Sequence, residues 1–93
     1  MDKLEKLVSL CKGEVSITIN EHRSTYDTIL EFFDDPRVGR GVSDELIAEM
    51  VKRDQVVCVQ FYPHTPVGCH RLYHYDIETA IGAALEIAEK EVA

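Results

Sequence analysis

Val15, Ile17 and Ile19 alternate with Ser16, Thr18 and Asn20, so this stretch reads as a strand with one apolar and one polar face. It is the clearest period of two in the chain. Leu4, Leu7, Val8 and Cys11 instead recur at helical spacing, which predicts a short helix over residues 2–12 closed by Gly13. Ser24 followed by Asp27 resembles a capping box, and Tyr26, Ile29, Leu30 and Phe33 mark the face of a second helix. Asp34-Asp35-Pro36 stops it, because the residue before a proline disfavours the α region. A loop over 36–41 leads to Ser43, the cap of a third helix with Leu46, Ile47, Met50 and Val51 inward and Glu45, Glu49 and Lys52 outward.

The run from Val56 to Tyr62 is dense in β-branched and aromatic residues and predicts a central strand. Residues 63–68 are a turn by composition, and Cys69 to Tyr75 is the returning strand. Asp76 then caps a final helix whose inner face is Ile77, Ile81, Ala84, Leu85, Ala88 and Val92. The order α-β-α-α-β-β-α predicts a small two-layer α+β domain, a three-stranded, mainly antiparallel sheet with helices on one face. The other face would carry Ser16, Thr18 and Asn20 with Cys58, Gln60 and Tyr62. No linker or low-complexity stretch divides the chain, so residues 1–93 read as one domain. A three-stranded sheet leaves edges and a poorly covered face, which points to a homo-oligomer, most simply a two-fold dimer.

Charge narrows the function. Seventeen acidic against ten basic residues give a formal net charge of −7, which opposes direct binding to nucleic acid or to an anionic membrane. It suits a basic partner, including a nucleic-acid-binding protein whose groove an acidic surface could occupy. No apolar signal core opens the sequence and no run is long enough for a membrane span. Three cysteines, Cys11, Cys58 and Cys69, are an odd number without metal-knuckle spacing, as expected of thiols in a reducing cytoplasm.

Catalytic patterns are lacking. There is no Gly-x-Ser-x-Gly elbow, and Cys69 and His70, adjacent on a strand, point to opposite faces. His70 and His74 share a strand face but lie roughly 13 Å apart, too far to grip one ion. No metal or other cofactor is expected, and the chain reads as a binder rather than an enzyme. Two sets of residues could bind. The acidic helices present Glu31, Asp34, Asp35, Glu45 and Glu49 to a basic partner. A second set mixes aromatic, histidine and arginine side chains: His22, Arg23, Tyr26, Arg71, Tyr73 and Tyr75, with Arg37 and Arg40 of a Gly-rich loop that precedes the third helix. That set suits a small anionic ligand.

The segments Ile19-Asn20-Glu21-His22-Arg23 with Tyr26, Phe61-Tyr62-Pro63-His64-Thr65-Pro66-Val67-Gly68 and Tyr73-His74-Tyr75-Asp76 resemble small open reading frames of tailed phages and prophages, over roughly residues 15 to 90. The resemblance transfers no catalytic residue. It implies a context: small acidic phage proteins are frequently inhibitors of bacterial defence, such as anti-CRISPR proteins, or sponges for immune signalling nucleotides. The expectation is therefore an inhibitor in the cytoplasm of a bacterial host that binds a defence protein through its acidic surface. The alternative is an oligomeric sponge for a small nucleotide.

Overall fold

The β-branched run predicted as the central strand forms β2 (Val57–Phe61), flanked by β1 (Ser16–Ile19) and β3 (His70–His74), both antiparallel to it. The computed structural model describes residues 2–38, 41–63 and 68–92. Four helices accompany the sheet: α1 (Lys3–Ser9), α2 (Ile29–Asp34), α3 (Asp44–Arg53) and α4 (Ile77–Val92). The α+β class and the antiparallel three-stranded sheet are as the sequence predicts. The tip of the β2–β3 turn, residues 64–67, lies outside the described residues. No helix among the described residues is long and apolar enough to cross a membrane.

Register decides the two faces. Ile17 pairs with Val59 and Val59 with Leu72, while Phe61 pairs with His70, so these side chains share one face. There Val57, Val59 and Phe61 pack with Leu7 and Cys11 and with Ala80, Ile81, Ala84, Leu85 and Ala88 of α4. The alanines let α4 lie close over β2 and β3, and α1 packs against α4. Ile19, expected on the buried face, is 54% exposed. It ends an edge strand that α4 does not roof.

The opposite face carries Thr18, Cys58 and Tyr73 in one row and Ser16, Gln60 and Arg71 in the next. Here the structure departs from a one-sided layering. The α1–α4 pair covers the first face, but α2 and α3 pack on the second, where Ile29, Phe33, Met50 and Val56 gather around Tyr73 and Tyr75. Phe32 and Phe33 meet the Tyr73 ring edge-on, each with centroids 5.5 Å away.

Local chemistry explains where elements begin and end. α1 starts at Asp2, whose carboxylate accepts from the Glu5 amide at 2.8 Å. It ends at Ser9 rather than near Gly13, because Cys11 bridges Pro63 and the Lys12 amide donates to the Tyr62 carbonyl at 3.0 Å. Pairing with the end of β2 wins over further helix. Ser43 caps α3 as expected, and Asp76 caps α4, accepting from the Thr79 amide at 2.9 Å.

The second helix begins later than its sequence suggests. Asn20 adopts a left-handed conformation (φ 57°), and residues Glu21–Ser24 form a 3-10 turn. Ser24 is spent inside that turn, donating to the Glu21 carbonyl at 2.8 Å. The capping box is Thr28 with Glu31: the Glu31 amide donates to the Thr28 hydroxyl at 3.1 Å, and the Glu31 carboxylate accepts from the Thr28 amide at 3.2 Å. Starting at Ile29 turns Ile29, Phe32 and Phe33 inward, leaves Leu30 outside and places Tyr26 before the helix.

This displacement is measurable. Thr28→Ala should lower stability by about 1 kcal/mol, and Ser24→Ala should change it by no more than about 0.5 kcal/mol. Urea unfolding of the two variants checks the order; the reverse order would put the cap back at Ser24.

Candidate functional site

The acidic set predicted from sequence is largely occupied within the chain. Glu31 is the capping carboxylate of α2, also accepting from the Asp27 amide at 3.0 Å. Asp35 accepts from the Arg37 backbone amide and guanidinium, the latter at 2.7 Å to Oδ2, and from the Tyr26 hydroxyl. The Arg37 guanidinium and then the Tyr26 hydroxyl hold the Asp35 carboxyl well below the usual range, while the same bond to Asp35 raises the Tyr26 phenol. Glu49 pairs with Arg53 one turn on, at 3.2 Å. Among the described residues, Asp34 and Glu45 alone of the five make no hydrogen bond or ion pair.

Beside them the structure shows apolar surface that the sequence assigned to the core. Leu30 of α2 is 53% exposed and Val51 of α3 is 41% exposed. They form a ridge between two grooves. One, of about 440 Å³, has Phe33, Ile47 and Ala48 as its floor and Asp34 and Asp44 as its acidic residues. The other, of about 270 Å³, is bounded by Arg23, Asp27, Thr28 and Asp54. Arg23 there is neutralised by its ion pair with Asp54. The missed signal was the position of the cap. A helix opened at Thr28 puts Leu30 outside, whereas one opened at Ser24 hides it.

The aromatic and arginine set divides. His22, Tyr26, Arg71 and Tyr73 come together around a groove of about 420 Å³ between the second sheet face and the segment leading into α2. The others do not join them. Arg23 faces Asp54, Arg37 is tied to Asp35, and Tyr75 lies under the Arg53 guanidinium, 4.3 Å from its ring centre. Arg40 lies outside the described residues.

Within that groove Arg71 donates through Nε to Gln60 Oε1 at 3.2 Å. Arg23, Arg37 and Arg53 each hold a carboxylate, whereas Arg71 has none within ion-pair distance among the described residues. Burial raises the Tyr73 phenol and the Cys58 thiol, with the charge of Arg71 pulling both back. His22 is 6% exposed, stacks nearly parallel on Phe32 (6°) and keeps Nδ1 buried without a partner. Burial, and then the charge of Arg23, lowers its pKa, while Asp54 pulls weakly the other way.

The other two described histidines, His70 and His74, make contacts within the fold. His74 Nδ1 accepts from the Asp76 amide at 2.9 Å, which leaves the ring proton on Nε2, and His70 Nε2 stands 3.2 Å from Glu91 Oε1 without the alignment of a hydrogen bond. Both lie on the extended β3. Among the described residues no group of three His, Cys, Asp or Glu side chains is placed to hold a metal. Burial raises Cys11 as well as Cys58, which keeps both as poorly nucleophilic thiols. The described residues therefore form a small α+β domain with shallow grooves along α2–α3 and on the second sheet face. Compared with known proteins, the chain matches no family model, no curated protein and no solved structure.

His22 gives a pH test. Its folded pKa lies below its unfolded one, so its contribution to stability is full above the unfolded value of about 6.5. As pH falls below that value the unfolded chain binds the proton first and stability is lost. The urea midpoint of the wild type should drop more between about pH 7.5 and about pH 5 than that of His22→Gln. Parallel curves would remove His22 as the buried neutral group.

Proposed function

We propose that this protein is a non-enzymatic inhibitor that docks the α2–α3 surface onto a basic, amphipathic segment of a bacterial defence protein, in the manner of small phage-encoded anti-CRISPR-type proteins. The observation that carries this reading is the exposed Leu30–Val51 ridge with Asp34 and Asp44 beside its larger groove. An apolar ridge with a charged border is the ordinary composition of a docking surface: the centre excludes water and the border selects the sign of the partner. Among the described residues no Lys or Arg lines the larger groove, so a cationic segment meets no like charge from them.

The net charge of −7 favours basic proteins generally and opposes nucleic acid and anionic lipid, which supports work in the cytoplasm of a host cell. A nucleic-acid-binding defence complex offers such a surface. The contact set differs from the acidic residues singled out in the sequence: Asp34 stays, Asp44, Leu30 and Val51 enter, and Glu31, Asp35 and Glu49 act inside the fold.

Capture from bacterial lysate with two matched variants tests this. Leu30→Ser with Asp34→Lys alters the ridge, and Val8→Ser with Glu86→Lys makes the same chemical change on α1 and α4. The first should reduce capture of a basic protein by at least about tenfold, as loss of an interface centre does. The second should retain it, and added salt should weaken the wild-type complex. Equal capture by both variants, with both folded by circular dichroism, refutes the reading.

A further inference from the structure

Beyond that protein-docking surface, the groove on the second sheet face has the makings of a small-molecule site. Its inner wall is a run of flat rings. Phe32 stacks with His22 (5.7 Å, 6°) and with Tyr26 (5.4 Å, 23°), and Tyr73 meets it edge-on. Flat aromatic walls favour flat ligands, by area burial and by offset stacking. On the sheet side stands Arg71, which lacks a carboxylate partner among the described residues of a chain with seventeen acidic residues.

Gln60 engages only Nε of that guanidinium. The terminal nitrogens, beside the Tyr73 hydroxyl, can still reach a carboxylate or phosphate, while Gln60 fixes the fork. The Tyr73 hydroxyl lies close enough for the charge of Arg71 to lower its phenol against the effect of burial. Among the described residues Glu21 is the one carboxylate lining the groove, and it offers an acceptor for a ligand nitrogen. His22 adds a buried ring nitrogen that the protein itself does not satisfy.

We propose that this groove binds a small flat molecule bearing both an anionic group, held by Arg71, and a hydrogen-donating nitrogen, held by Glu21. A volume of about 420 Å³ admits one ring system and one anionic group. Two sources share this chemistry, a nucleoside monophosphate with an exocyclic amine and an aromatic amino acid.

Titration calorimetry with AMP and with L-phenylalanine separates the sources, with adenosine as the ring without an anion. At least one of the two anionic probes should bind the intact chain, and adenosine should bind at least about tenfold more weakly than AMP if the phosphate is the anchor. Arg71→Met should weaken the bound probe by about tenfold or more, Arg71→Lys should fall between, and Arg37→Met should leave binding unchanged. Because Arg71 is exposed, its variants should keep the wild-type melting temperature. Failure of both AMP and L-phenylalanine to bind at millimolar concentration, or binding unaffected by Arg71→Met, overturns the proposal. Either result leaves the lysate experiment on Leu30 and Asp34 untouched, so the two readings fail separately.

Discussion

Tyr73 leaves β3 on the face opposite Leu72, and the rings of Phe32 and Phe33 meet it edge-on. The layout of the second sheet face follows from that contact. Three aromatic side chains bring far more apolar area than the rest of a sheet face that otherwise carries Thr18, Cys58, Gln60 and Arg71. They draw a six-residue helix, too short to persist alone, onto a largely polar sheet surface. The α3 helix follows through Met50 and Val56. The result is a second layer that covers only one end of the face, leaving the groove beside Arg71 open.

Much of the architecture could be read from the chain, and the reasons are local. The β-branched run of β2, the Ser43 and Asp76 caps and the alternation in β1 each depend on near neighbours, so tertiary context only sharpened their ends. The start of α2 was not legible. Ser24-x-x-Asp27 and Thr28-x-x-Glu31 are adjacent, competing signals, and a long-range event chose between them. Asn20 turns left-handed and joins the start of β2, its amide donating to the Val56 carbonyl at 2.8 Å and its side chain accepting from the Val56 amide at 2.9 Å. That junction commits the next four residues to a tight turn. The early end of α1 has the same kind of cause, a pairing with residues about fifty positions away.

The candidate sites were legible to a smaller degree. Composition alone marked the acidic helices, but it could not say which carboxylates the fold would use as caps and ion pairs. Glu31, Asp35 and Glu49 were used so, whereas Asp34 was left outward. The aromatic and arginine set fared better in part, because His22, Tyr26, Arg71 and Tyr73 lie on segments that converge on one sheet face. Arg23 and Tyr75 sit next to members of that set in sequence or on the sheet, yet Asp54 and Arg53 claim them.

The alanine seam of α4 carries a different lesson. Ala80, Ala84 and Ala88 are fully buried in the cluster between α4 and the sheet, where added side-chain volume would force repacking. Adaptation on that side would require several coordinated replacements at once. Leu30, Val51, Asp34 and Arg71, in contrast, stand on a rigid platform without filling it. Their identities can change one at a time while the scaffold stays intact.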